Sequence, residues 1–223
     1  MVRSHIGRKP LTEVHEARKI ERRRPPRFDL IAGNVCLDFV NTLDDRHLKP
    51  KELLETYVDF ARFGEDTGLL EPSQVDRLYE RSRAEPERAQ EALLRGRGLR
   101  EVIHDVFWAI INKRPVPAVA LARLNEYAQT ASRHTRLIPA KGGFEWRFDE
   151  VADFDSVLWP IVRSAVDLLA SDRLAYVRAC SSKVCEWFFL DTSKNHHRRW
   201  CDMTRCGNRA KVQRFYARRK KEH

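Results

Sequence analysis

Four of the five cysteines in this 223-residue chain fall in two matched pairs, Cys180-x4-Cys185 and Cys201-x4-Cys206, with fifteen residues between the pairs. Thiolates a few residues apart can close on one tetrahedral ion without long-range help, and four cysteines are a common structural zinc set. The x4 spacing is wide for such a site, but its repetition compensates. Two disulfides or four buried thiols are the alternatives, and the lack of a secretion signal counts against the first of them. The fifth cysteine, Cys36, lies on an apolar face with no partner in sequence and reads as a core thiol.

The residues around the second pair, DTSKNHHRRWCDMTRCGNRAK, resemble the signature of the CGNR zinc-finger family. The match covers Asp191, Ser193, Asn195, Arg198, Arg199, Trp200, Cys201, Cys206, Gly207, Asn208, Arg209 and Lys211, with Cys180 and Cys185 at the positions of the first pair. Lys194 stands where the family usually has arginine, which keeps the charge and loses bidentate geometry. The resemblance implies one structural zinc in a treble-clef-like unit, a β-hairpin followed by a basic helix. It also implies double-stranded DNA as the partner.

Charge is unevenly spread along the chain. Of the net +10, residues 1–27 carry +6, residues 28–179 carry −4 and residues 180–223 carry +8. Four thiolates and one dication would bring the last segment to about +6, still strongly basic. An excess of this kind on a small metal-held unit points to nucleic acid rather than to a merely solvated face.

A helix is expected from Gly207 to Lys221, with Val212, Phe215 and Tyr216 as an inner stripe and Lys211, Arg214, Arg218 and Lys221 as a cationic one. Lys194, Arg198, Arg199, Arg209, Lys211, Arg214 and Arg218 are the candidates for neutralising phosphates. Asn195, His196, His197 and Asn208 are candidates for finer contacts. The β-propensity of Trp187, Phe188, Phe189 and Leu190 suggests a short strand packed behind the metal.

These groups must be positioned by the rest of the chain. Residues 1–27 are too polar to bury a core and read as a mobile basic tail. Order is expected to begin near Phe28, where LIAGNVCLDFVNTLDDR combines a glycine-asparagine turn with apolar residues at helical spacing. LDFVNT resembles the opening motif of the ABATE domain, the usual companion of the CGNR finger and a proposed ligand-sensing module.

Asp38, Asn41 and Thr42 gather on the polar side of this short helix. They are candidates for a ligand pocket, with Arg163 as a possible cationic partner. Capping of neighbouring backbone or pairing with an arginine at a helix interface is the alternative.

Further helices are expected from Lys49-Pro50 to Gly64 or Gly68, from Pro72, from Pro86 through Ile110, from Val119 to Ala131, and from Asp155 to Leu169. Close helix packing would explain Gly96 and Gly98 within the longest of them. Alternation of Phe144, Trp146 and Phe148 after Lys141-Gly142-Gly143 predicts a hairpin. The fold class is therefore mainly α with a small β-hairpin: a helical domain over 28–179, then the finger over 180–223.

No apolar run reaches the length of a membrane span, the longest being six residues near Val106–Ile111, and a cytoplasmic protein is expected. No nucleophile-base pair or catalytic-metal motif accompanies the acidic cluster, so enzymatic activity is not expected. The leading expectation is a zinc-dependent DNA-binding transcriptional regulator whose helical domain senses a small-molecule effector or a stress signal. An RNA- or ribosome-binding zinc protein is the alternative.

Overall fold

The computed structural model describes residues 28–46, 48–149 and 153–219, with the side chains of residues 217 and 218 excepted. The basic tail, Lys221 and the Arg218 side chain lie outside the described residues. Helices dominate, as the hydrophobic periodicity predicts: α1 (Val35–Val40), α2 (Tyr57–Asp66), α3 (Pro72–Ala84), α4 (Pro86–Ile111), α5 (Ala118–Arg133) and α6 (Leu158–Leu169). The finger contributes α7 (Asn208–Arg219).

Three two-stranded antiparallel ladders punctuate the helices. These are β1 (Leu43–Asp44) with β2 (Lys51–Glu52), β3 (Thr135–Ala140) with β4 (Gly143–Phe148), and β5 (Val177–Ala179) with β6 (Phe188–Leu190). Short 3-10 turns at Phe154–Val157 and Asp172–Tyr176 flank α6.

The core forms around α1, all but one of whose residues are buried. Phe39 lies against Phe60 and Phe63, and Phe28 meets Phe63 edge-on at 5.4 Å. Aromatic pairs in these geometries add to the gain from area burial alone. Gly96 lets α4 approach α2 closely, since a Cβ there would lie 3.0 Å from the Phe60 ring. Gly98 has only ordinary van der Waals contact with Tyr127, so the packing explanation holds for one of the two glycines.

The segment after Lys49-Pro50 differs from expectation. No helix starts there; Lys51 and Glu52 pair with Asp44 and Leu43, and the helix begins six residues later at Tyr57. The cause is polar. Thr56 and Asp59 form a reciprocal capping box, a Thr-x-x-Asp signal that was present in the sequence.

Glu52 is held upstream by Arg100, whose two terminal nitrogens each lie 2.7 Å from its carboxylate oxygens. Arg100 is only 3% exposed, and its charge is matched by Glu52 and Glu101 while it also donates to the Thr42 hydroxyl at 3.2 Å. Burial alone would raise the Glu52 carboxyl, but the Arg100 hydrogen bonds and charge outweigh it and hold the group below its ordinary range.

Asp38 shows the opposite balance. It is 8% exposed and has no cationic hydrogen-bond partner among the described residues; burial pushes its carboxyl from 3.8 up to about 6, against hydrogen bonds from the Ala32 and Ile31 amides. The folded state therefore favours the protonated form. That contribution to stability is fully present below the unfolded value of 3.8 and is lost as pH rises through about 6. The loss is on the order of 3 kcal/mol. Unfolding free energies measured from pH 4 to 7 should thus fall more steeply for the native chain than for Asp38→Asn. Parallel curves would show that burial of this carboxyl carries no such penalty.

Candidate metal centre and nucleic-acid interface

The finger starts as a continuation of the helical core. β5 and β6 form a hairpin with Val177 opposite Leu190 and Ala179 opposite Phe188, closed by the Cys180 amide donating to the Trp187 carbonyl at 2.8 Å. The boundary expected between 179 and 180 falls at the end of β5, so the two halves of the chain share this hairpin. Its loop carries Cys180 and Cys185.

Cys201 and Cys206 are set by a π-helical turn, Met203–Gly207, that leads directly into α7. Asp202 starts that turn by accepting from the Thr204 and Arg205 amides. Gly207 lets the Met203 side chain lie close over the backbone, since a Cβ there would stand 2.7 Å from the Met203 sulfur and displace that exposed side chain. One ligand pair on a hairpin loop and one at a helix start give the treble-clef-like layout.

All four Sγ atoms lie within 4.8 Å of one another. Cys185 and Cys201 are 3.5 Å apart, and Cys201 and Cys206 3.8 Å. A tetrahedral site with Zn–S near ~2.3 Å has sulfur–sulfur edges of ~3.8 Å, so the cluster is already at the right size. The distances are far too long for disulfides, and all four cysteines are free thiols.

Electrostatics agree. The Cys180 thiol is shifted towards ionisation by hydrogen bonds from Cys185 and Cys201, while Cys185, Cys201 and Cys206 are pushed up by that neighbour and by burial. Four such sulfurs can all be thiolates only around a cation. The donor set fits one structural zinc held by Cys180, Cys185, Cys201 and Cys206. Neither His196 nor His197 belongs to it.

The loop between the two pairs is organised by Asp191, which is 1% exposed. Its carboxylate accepts from the Ser193 amide and hydroxyl and from the Arg198 amide. Burial opposes ionisation, yet these donors prevail and keep the carboxyl below its ordinary range. Arg198 is also spent internally: its guanidinium donates to the Trp200 and Cys201 carbonyls and lies 4.7 Å above the Phe189 ring. His196 stacks on Tyr176 at 3.8 Å and its Nδ1 meets the Asp191 carbonyl. Asp191 carried no assigned role in the sequence reading, and the Asp-x-Ser spacing was the signal that could have given it one.

The other expected contacts sit differently. Lys194, Asn195, Arg199, Asn208, Arg209, Lys211 and Arg214 are all exposed. Asn208 reaches back to the Thr204 carbonyl at 3.0 Å, and Arg199 lies 5.2 Å from the Trp200 ring. The expected inner stripe of α7 is uncovered, with Val212, Phe215 and Tyr216 at 54%, 57% and 64% exposure. Among the described residues α7 packs chiefly on the π turn that precedes it, which leaves that stripe open.

The four residues grouped as a possible ligand pocket separate into two places. Asn41 sits 4% exposed at the C-terminal end of α1 and forms a two-point pair with the peptide of Phe188, donating to its carbonyl and accepting from its amide, both at 2.9 Å. Thr42 donates to the Phe39 carbonyl, and Asp38 accepts from Ala32. Arg163 is elsewhere, on α6, clasped to Asp167 at 2.7 and 2.8 Å. The polar cluster on α1 is thus occupied with backbone and with Arg100, because a helix of this length buried on nearly every side needs its peptide ends and polar side chains satisfied internally.

More bonds cross between the helical domain and the finger. Trp187 donates to Asp44 at 2.7 Å, Leu190 to the Ala32 carbonyl at 2.7 Å, and Arg205 pairs with Asp29. His104 of α4 stacks on Phe188 at 5.3 Å. None of these links was legible in the sequence.

No helix among the described residues is long and apolar enough to cross a membrane. No curated protein matches the chain. Residues 176–219 match the family model described as CGNR zinc finger, and residues 33–172 match ABATE, described as "Putative stress-induced transcription regulator". Neither description is that of an enzyme. The ABATE match covers more than half of the chain and contains the whole six-helix core, so the protein belongs to the ABATE family and carries a CGNR zinc finger after that domain.

Proposed function

We propose that this protein is a cytoplasmic transcriptional regulator whose zinc finger binds double-stranded DNA and whose helical domain responds to a small-molecule effector. The observation that carries the DNA reading is the set of exposed cations, Lys194, Arg199, Arg209, Lys211 and Arg214, which have no acidic partner among the described residues. Arg198 and Arg205, by contrast, are engaged within the protein and serve to position the others. Arg218 lies on the same helix, four residues beyond Arg214.

Such a surface neutralises phosphates through Lys and Arg, with Asn195 and Asn208 placed for polar contacts to base edges or backbone. The zinc fixes the loop and the start of α7 relative to each other, and so sets the angle of the cationic face. Five neutralised phosphates give a slope of log K against log salt of about −4.5. Arg214→Ala should weaken duplex binding and flatten that slope by about 1. Fluorescence-anisotropy titrations of the zinc-loaded chain at several salt concentrations read both. A slope near zero would rule out a phosphate-tracking interface, and tighter binding to a folded RNA than to duplex DNA would shift the assignment to RNA.

A further inference from the structure

A cavity of about 290 Å³ opens between α5, α6 and the β3–β4 hairpin. Its walls are Ala128 and Ala131 from α5, Val162 and Val166 from α6, and Trp146 and Phe148 from β4. Ser132 and Thr135 also line it, with their hydroxyls engaged by backbone: Ser132 donates to the Gln129 carbonyl and Thr135 to the Ala131 carbonyl. The cavity is therefore apolar apart from one ion pair at its rim, Arg163 with Asp167.

That pair uses only the Nε edge of the guanidinium. The two Nη nitrogens make no hydrogen bond among the described residues and remain as donors in the fork geometry that suits a carboxylate. Trp146, 63% exposed, offers an aromatic face that the fold itself does not cover.

α6 also forms the far wall of a second structure. Ser164, one residue from Arg163, donates to the Asn34 side chain at 2.8 Å and accepts from the Cys36 amide at 3.2 Å, at the N-terminal end of α1. The opposite end of α1 is the Asn41 pair with Phe188 of the finger. One short buried helix thus runs from the back of the cavity wall to the edge of β6.

We propose that this cavity binds a small aromatic carboxylate, its ring against Trp146 and Phe148 and its carboxylate on the Nη edge of Arg163, and that occupancy is transmitted through Ser164 and α1 to β6. The assignment rests on the effector-responsive reading above and names the chemistry of that effector. Asp38, Asn41 and Thr42 then belong to the transmission and not to the ligand.

The probe is 1-naphthoate, with uncharged 1-naphthamide as its control, titrated calorimetrically into the full zinc-loaded chain. A ligand of this size should bind one per chain with a Kd of about 1 mM or tighter. Arg163→Gln, an exposed change, should weaken naphthoate about tenfold and leave naphthamide unchanged. Ala128→Phe should abolish binding of both.

Hydrogen exchange should slow on naphthoate binding at 35–41 and 188–190, and Ser164→Ala should remove that change while binding persists. Absence of saturable binding at about 10 mM, or binding untouched by both cavity variants, would overturn the site. Binding with no change in exchange at α1 and β6 would overturn the transmission. None of these readouts uses DNA, so failure of the site and failure of the DNA reading are separate results.

Discussion

Chelation of the metal under reducing conditions should melt residues 191–207 and release α7, while the β5–β6 hairpin and the helical core keep their protection from hydrogen exchange. The split follows from where each half of the finger finds its stability. Phe188, Phe189 and Leu190 are at most 2% exposed, β6 packs against α1 while β5 packs against α4, and β6 is bonded on one edge to β5 and on the other to Ala32 and Asn41. That part shares the core of the helical domain. The loop from Asp191 onward and the π turn are held by the two cysteine pairs, the Asp191 hub and a few polar links, and α7 exposes its apolar face.

A structural zinc contributes roughly 10–16 kcal/mol at neutral pH, so no other single removal should matter as much to this segment. Cys206→Ser should reproduce the effect, and it should abolish duplex binding together with it. A finger whose amides from 191 to 207 stay protected after chelation, with thiols reduced, would show that the metal is not what folds it.

The second large effect is expected at Asn41. Replacement by alanine removes both partners of a buried peptide group, leaving the Phe188 amide and carbonyl without hydrogen bonds. An unsatisfied buried polar group costs about 1–3 kcal/mol, so Asn41→Ala should lower the unfolding free energy by about 2–5 kcal/mol. Aspartate is no substitute, because it lacks the donor needed by the Phe188 carbonyl and adds an unpaired charge at a site with 4% exposure. Urea unfolding of the full chain reads the loss. Exchange at Phe188 should rise well before that of α4, since the pair is the direct tie between α1 and β6. A variant within about 0.5 kcal/mol of the native chain, in the range of an ordinary surface substitution, would mean that this pair is not holding the finger in place.

Both predictions concern the junction between the two family regions. Together with Trp187 to Asp44, Leu190 to Ala32 and Arg205 to Asp29, the Asn41 pair fixes the finger against the helical domain. These bonds join the helices to β6 and to the π turn that leads into α7.

Local signals in the sequence determined a good deal. The repeated cysteine spacing was enough to define the metal centre, because ligand pairs a few residues apart meet without help from the rest of the fold. Hydrophobic periodicity placed α3 to α6 within a few residues, since each buries one face with its own period, and the alternation around Lys141-Gly142-Gly143 placed the β3–β4 hairpin although Phe144 and Trp146 stay exposed. Where a polar side chain outweighed the pattern, as with Glu52 on Arg100 and the Thr56–Asp59 cap, the boundary of α2 moved.

Only the tertiary structure decided what the polar residues do. Asp38, Asn41 and Thr42 were visible as a cluster, but their partners stand 3 to 147 residues away in the chain, and no local spacing reports that Asn41 meets Phe188. Arg198 looked like its neighbour Arg199 until its guanidinium was found closed around the Cys201 carbonyl. Composition says that a charge exists and how many there are. Which charges face solvent and which are consumed in holding the chain together depends on contacts between distant segments, and those are fixed only when the whole core has formed.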